Sequence, residues 1–286
     1  MTEKTIAIYH KDCSDGTTSA AVVSKKYPGA LLFAMSHGAT AEEIAELIAQ
    51  TTPRDRVLTV DCVIGAKEFL AAGRKVTSID HHASVRDEYM ALAAQNENFT
   101  YVFDNSKCGS SLSWSYLFPG EKVPELITYV EDFDLWNWKY GDKTKYVASY
   151  LYPLSNRPEE VAALLNGSLD AAIEKGRIIS EYGDFMIAHA IKGTEPVDLL
   201  IGQHTVPFYN ITAYKSESGN ILSKERDRAV GLFTIEAHRV KISFRSLDSH
   251  TPSALDIAAI LGGGGHRNSS GAAMALDAFM KAIRKP

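Results

Sequence analysis

The feature that most constrains this chain is the alternation, over its first third, of short β-rich runs with helical stretches. Residues 5–9, 31–34, 57–60, 76–79 and 100–103 read as strands, rich in aliphatic and aromatic side chains, and residues 14–26, 41–49, 66–72 and 85–95 read as helices between them. Strands joined by short connections through helices form a parallel sheet covered on both faces, because a parallel pair needs a crossover. In such sheets ligands bind beyond the carboxyl ends of the strands. Polar residues at those ends are therefore the place to look for function.

They gather there. The first run leads into His10, Asp12 and Asp15; the third ends at Asp61; the fourth ends at Asp80, His81 and His82; and a helical segment from Pro124 leads to Glu131-Asp132-Phe133-Asp134. One aspartate after a strand commonly caps the next helix, and Asp15 and Asp104 can be read that way. Acids and imidazoles on four separate segments point instead to a site. Carboxylates with one or two imidazoles suit hard or borderline divalent ions. A pair of such ions about 3.5–4 Å apart is the usual device for phosphoester hydrolysis. The expected metal set is His10, Asp12, Asp15, Asp61, His81 and Asp132, holding two divalent ions, Mn²⁺ foremost and Mg²⁺ or Co²⁺ as substitutes.

The rest of the chain is organised differently. Residues 158–192 are helical, with Leu169, Ala172, Gly176, Ile179, Tyr182 and Met186 along one face. Residues 199–211 and 230–244 suggest antiparallel strands, 253–261 a helix, and Gly262-Gly263-Gly264-Gly265-His266 follows. The expected division is an α/β catalytic domain over 1–157, a helical connector over 158–194 with its boundary near 193–196, and a smaller α/β domain over 195–286. There is no internal repeat or low-complexity tract.

Composition bounds the function classes. A chain of 286 residues is long enough for two domains, and a formal net charge of −5 argues against coating long nucleic acid by general electrostatics. Three cysteines, Cys13, Cys62 and Cys108, make no disulfide framework and no CxxC pair; they read as packing residues. The opening Met1-Thr2-Glu3-Lys4 lacks the basic start and apolar core of a signal segment, and no apolar run reaches the ~20 residues needed to cross a bilayer. A cytoplasmic enzyme without membrane partners is expected. Trp136 and Trp138 read as packing rather than base-stacking residues.

These motifs resemble a known family. Ile79-Asp80-His81-His82 resembles the Asp-His-His signature of the DHH phosphoesterases, and residues 9–16, YHKDCSDG, resemble that family's first motif. Val60-Asp61 matches the second, residues 131–136, EDFDLW, resemble the fourth, and residues 262–271, GGGGHRNSSG, look like the glycine-rich motif of the associated DHHA1 domain. The resemblance implies a parallel-sheet DHH domain with helices on both faces, followed by a smaller DHHA1-like domain. It implies that His10, Asp12 or Asp15, and His81 bind metal, with Asp61 bridging two ions. Asp80 would orient an imidazole and His82 would face the substrate phosphate. Two departures are visible. Asp12 and Asp15 are separated by two residues where the family has one, and either Asp132 or Asp134 can fill the last ligand position; Asp132 is preferred here.

Four successive glycines allow backbone amides to approach an anion, and an arginine can grip phosphate oxygens bidentately. Gly264, Gly265, His266, Arg267, Ser269 and Ser270, with Arg245 at the end of residues 240–244, are the expected substrate contacts. The DHHA1 resemblance favours a nucleotide or short oligonucleotide substrate, with catalysis by His82 and Asp80. Pyrophosphate or polyphosphate hydrolysis is the alternative enzymatic reading, and a nucleotide sensor without turnover is the non-enzymatic one. A homodimer is compatible with the chain.

Overall fold

The structure, a computed structural model, describes residues 3–283. Met1 and Thr2, part of the segment read above for a targeting signal, lie outside the described residues. The chain divides into two compact units, Met1–Ser180 and Glu181–Pro286.

The first unit runs β1 (Thr5–His10), α1 (Ser14–Lys26), β2 (Leu31–Met35), α2 (Ala41–Ala49), β3 (Arg56–Val60), α3 (Ala66–Ala71), β4 (Lys75–Asp80), α4 (Arg86–Gln95), β5 (Phe99–Phe103), α5 (Gly109–Leu117), α6 (Glu125–Asp134), α7 (Asp142–Leu151), α8 (Pro158–Ala162) and α9 (Asp170–Lys192), the last continuing into the second unit. All five strands are parallel, in the order β2-β1-β3-β4-β5. Successive side chains of β1 alternate between two cores, as the two-residue period of a strand requires. Ala7 and Tyr9 join Leu58, Val60 and Ile79 under α1, α5 and α6, whereas Ile8 joins Val57, Val76, Ile44 and Phe69 under α2 and α3. Burial on both faces explains why Ile6 to Tyr9 is a continuous apolar run. The chain steps from β1 to β2 in one direction and then crosses back to β3. Right-handed crossovers then put α1 on one face and the next three helices on the other. The point of reversal lies between β1 and β3, where an open α/β sheet forms its crevice.

The second unit adds β6 (Val197–Ile201), β7 (His204–Tyr209), α10 (Lys215–Arg226), β8 (Val230–Glu236), β9 (Arg239–Arg245), α11 (Ala254–Ile260), β10 (Gly264–His266), β11 (Ser269–Ala275) and α12 (Leu276–Ala282). Its sheet has the order β10-β11-β9-β8-β7-β6. The expectation of antiparallel strands is met except at β7 and β8, which pair in parallel because α10 crosses between them. The sequence reading passed over α10, a largely polar helix, KSESGNILSKER, that places Leu222 in a small core with Tyr209, Val230 and Leu232. The segment expected as a connector holds α8 and α9. Gly176 packs against the Tyr146 backbone in the first unit, Ala190 and Ile191 pack in the second, and the division falls at Ser180 inside α9. Among the described residues no helix is long and apolar enough to cross a membrane.

Candidate metal centre

The carboxyl ends of β1, β3 and β4 deliver His10, Asp61 and the Asp80-His81-His82 run to one place. Asp61 is the centre of the cluster. It sits one residue beyond β3 with φ of 56°, a left-handed conformation unusual for a residue with a side chain and characteristic of functional sites. Its Oδ1 lies 3.1 Å from His81 Nε2, and its Oδ2 lies 3.4 Å from His10 Nδ1. His81 Nε2 is also 3.9 Å from Asp15 Oδ2 and 3.7 Å from Asp134 Oδ2. Asp15, Asp61 and His81 are each no more than 1% exposed.

Asp15 is held from an unexpected side. It lies in the first turn of α1, yet it accepts hydrogen bonds from the amides of Gly109, at 2.6 Å, and Ser110, at 2.9 Å. These are orphan donors at the start of α5, where the helix dipole favours a negative group. α5 comes this close only because residue 109 is glycine. A Cβ there would lie 2.6 Å from Asp61 Cβ and 2.9 Å from Asp61 Cα.

The carboxylates crowd one another. Burial, then the charges of Asp61 and Asp134, push the Asp15 carboxyl up to about 8. Burial also raises Asp134. Burial works against charge on Asp61 too, but the imidazoles of His10 and His81 beside it hold its carboxyl well below the usual range. His81 is buried, which disfavours its charge, and Asp61, Asp134 and Asp15 more than offset this, raising it to about 10. Asp61 Oδ2 and Asp134 Oδ2 are buried without a hydrogen-bond partner. A divalent cation would answer both the crowding and the unpartnered oxygens, so the residues fit a metal centre. Ligand atoms within 4.8 Å of one another come from Asp15, His81 and Asp134 on one side and from His10, Cys13 and Asp61 on the other.

Two residues of the expected metal set stand elsewhere. Asp12 is exposed, in a left-handed conformation, and is tied to Asn156: its amide donates to Asn156 Oδ1 at 2.9 Å and its Oδ1 accepts from Asn156 Nδ2. Asp132 accepts from the amides of Lys139, at 2.8 Å, and Tyr140, at 3.2 Å, and from the Thr144 hydroxyl. It organises the turn after α6, while Asp134, two residues on, reaches His81. Replacing Asp132 with Ala is expected to strand these donors and lower unfolding free energy by about 1–3 kcal/mol. Asp134→Ala should leave the stability of the metal-free protein nearly unchanged. Urea titration of both variants checks the contrast.

Beside the cluster, His82 Nδ1 contacts Asp80 Oδ1 at 2.7 Å. Burial lowers the His82 imidazole, but Asp80 outweighs it and raises the group to about 8. His37, from the loop after β2, was not singled out by sequence reading. Its ring centroid lies 4.4 Å from that of His10 and 5.7 Å from that of His82. No spacing pattern announces it, since its loop carries no other ligand-type residue. Trp136 and Trp138 pack edge to face with ring centroids 4.9 Å apart.

In the second unit the residues expected to meet substrate fall along neighbouring strands. His266 pairs with Ser269 across β10 and β11, and Ser269 pairs with Arg245 across β11 and β9. Arg245 donates to Ser216 Oγ at 2.9 Å and to the Phe244 carbonyl at 2.8 Å. Burial lowers its guanidinium to about 10. Arg267, in the turn after Gly264, Gly265 and His266, donates to the carbonyls of Asp248 and His250, and the buried Ser270 hydroxyl donates to the His266 carbonyl. The glycines are also a packing requirement. A Cβ on Gly263 would lie 2.1 Å from the Gly271 carbonyl oxygen.

No protein-family model matches the chain. An uncharacterized protein of Acanthamoeba polyphaga mimivirus is 26% identical over 213 residues, covering 72% of this chain and 49% of the relative, so the chain spans about half the length of the curated relative it matches. Among solved structures, RecJ of Thermus thermophilus in complex with Mn²⁺ aligns with a TM-score of 0.57 at 15% identity, over 97% of this chain and 50% of that one. An exonuclease RecJ bound to manganese aligns at 0.50 with 17% identity, over 97% and 88%. The pGpG-specific phosphodiesterase PggH of Vibrio cholerae aligns at 0.50 with 10% identity, over 98% and 96%. At these identities the likeness is one of fold: the chain shares the α/β fold of the RecJ structures, a five-stranded parallel sheet flanked by helices with a second, mixed sheet.

Proposed function

We propose that this chain is a metal-dependent hydrolase of phosphoester bonds in nucleotides or short oligonucleotides. The observation that carries the reading is the position of Asp61, whose two oxygens face two separate groups of ligand-type side chains. Asp15, His81 and Asp134 would hold one divalent ion and His10 would help hold a second, with Asp61 shared between them. Such ions, when bound, stabilise charge on phosphoryl oxygens and lower the pKa of water. Structures of similar fold that contain manganese support Mn²⁺ as the first ion to try.

The remaining roles fall to the chain's own groups. Asp80 fixes the His82 ring through Nδ1 and favours its protonated form. The opposite nitrogen, Nε2, is the atom assigned to deliver a proton to the departing oxygen. In the second unit, the row His266, Ser269 and Arg245 supplies imidazole, hydroxyl and guanidinium groups suited to an anionic substrate. A net charge of −5 fits short substrates better than a long polyanion.

The test is hydrolysis by the metal-free protein reloaded with Mn²⁺, against a dinucleotide, a short RNA, a nucleoside 3′,5′-bisphosphate, pyrophosphate and polyphosphate. Metal-dependent release from the nucleotidic compounds alone is the expected result. Activity confined to pyrophosphate or polyphosphate would replace the substrate assignment. Nucleotide binding without turnover in saturating metal would make the chain a sensor.

A further inference from the structure

Three cysteines occur in the chain, and two are ordinary core residues. Cys62 Sγ donates to the Ile8 carbonyl at 3.9 Å, Cys108 Sγ lies 3.1 Å from Ser110 Oγ, and both are buried. Cys13 is placed differently. It is the N-cap of α1, a position where serine, threonine or aspartate usually turns its oxygen back onto the helix amides. The Cys13 side chain makes no such bond. Its carbonyl accepts from the amide and hydroxyl of Thr17, at 3.0 and 2.7 Å, which fixes the backbone. The thiol lies in the cluster, where one ligand atom each from Cys13, His10 and Asp61 fall within 4.8 Å of one another. On the same side the buried Asp61 Oδ2 has no hydrogen-bond partner and faces His10 Nδ1 at 3.4 Å. The neighbouring acid, Asp12, does not compete, because it is bound to Asn156.

We propose that Cys13 is a thiolate ligand of the half-site formed with His10 and Asp61, so that the centre pairs a sulfur-containing half with an oxygen-rich one. This rests on reading the cluster as a metal centre. A sulfur, nitrogen and oxygen set favours borderline ions such as Co²⁺ or Zn²⁺, whereas Asp15, Asp134 and His81 also accept harder ions such as Mn²⁺. Binding forms one metal–sulfur bond and releases the thiol proton to solvent, with no change of oxidation state. The two halves therefore differ in selectivity, and a mixed pair of ions is the natural loading.

The test uses the full chain, stripped of metal and titrated with Co²⁺. Bound cobalt is measured by equilibrium dialysis and its ligands by absorption. The expected result is two cobalt ions per chain, visible bands from both, and a near-ultraviolet thiolate-to-cobalt charge-transfer band. That band should vanish in Cys13→Ser while most cobalt in the other half is retained. In Cys13→Asp, which restores a charged ligand, the band should also be absent and preference should move from Co²⁺ toward Mn²⁺ by about tenfold or more. Two bound cobalt ions without the band in the unaltered protein would overturn the thiolate assignment and leave the metal centre standing, as would a band that survives in both variants. No bound cobalt at all would overturn the metal centre and the thiolate with it.

Discussion

Asp61→Asn is expected to lower kcat for phosphoester hydrolysis by on the order of 10³-fold or more, the rate equivalent of several kcal/mol of charge stabilisation. The change keeps the size of the side chain and removes the charge shared between His10 and His81. A neutral amide cannot serve two cations, so both half-sites should weaken together. The variant should fold, because the amide fills the same space and can still hydrogen-bond His81. Steady-state kinetics with saturating Mn²⁺, alongside cobalt stoichiometry, separates loss of metal from loss of chemistry. Near-normal turnover in this variant would remove the shared-ligand assignment.

Gly109→Ala should be nearly as damaging without altering any chemical group. The new Cβ would meet Asp61 Cβ at 2.6 Å and Asp61 Oδ1 at 2.9 Å, so either α5 or the Asp61 turn must shift. If α5 withdraws, Asp15 loses the two amides that orient it. If Asp61 moves, the two halves of the centre separate. Overpacking of this kind costs about 1–3 kcal/mol of stability. Misplacing catalytic groups by about 1 Å can cost on the order of 10²-fold in rate. Urea denaturation and kcat on one preparation would show both effects. A variant with unchanged activity would mean that α5 and Asp61 are not rigidly coupled.

Much of the first unit could be read from residue order, because its strands are buried on both faces and stand out as apolar runs such as Ile6-Ala7-Ile8-Tyr9. The strand-end acids and imidazoles were legible for the same reason: the sheet fixes where strands stop. What failed to show was side-chain direction within loops. Asp12 and Asp15 look equivalent in sequence, but the left-handed backbone at Asp12 accompanies its pairing with Asn156, 144 residues away. Asp132 and Asp134 are separated by one residue on a helix, about 200° around the axis, so they face different partners. Cys13 had a usable signal, a thiol at a helix start that cannot cap well. His37 had none. In the second unit α10 escaped notice because so little of it is apolar, and with it went the parallel pairing of β7 and β8.

The attachment of Asp15 to the start of α5 has a consequence for how the unit is assembled. The pairing of β1 with β3 brings together the early segments that carry His10, Cys13 and Asp61. Asp15 is not oriented until Gly109 and Ser110 arrive, and Asp134 comes later still at the end of α6. Synthesis therefore delivers every residue of one proposed half-site within the first 61 positions, whereas the other waits for residues as far along as Asp134.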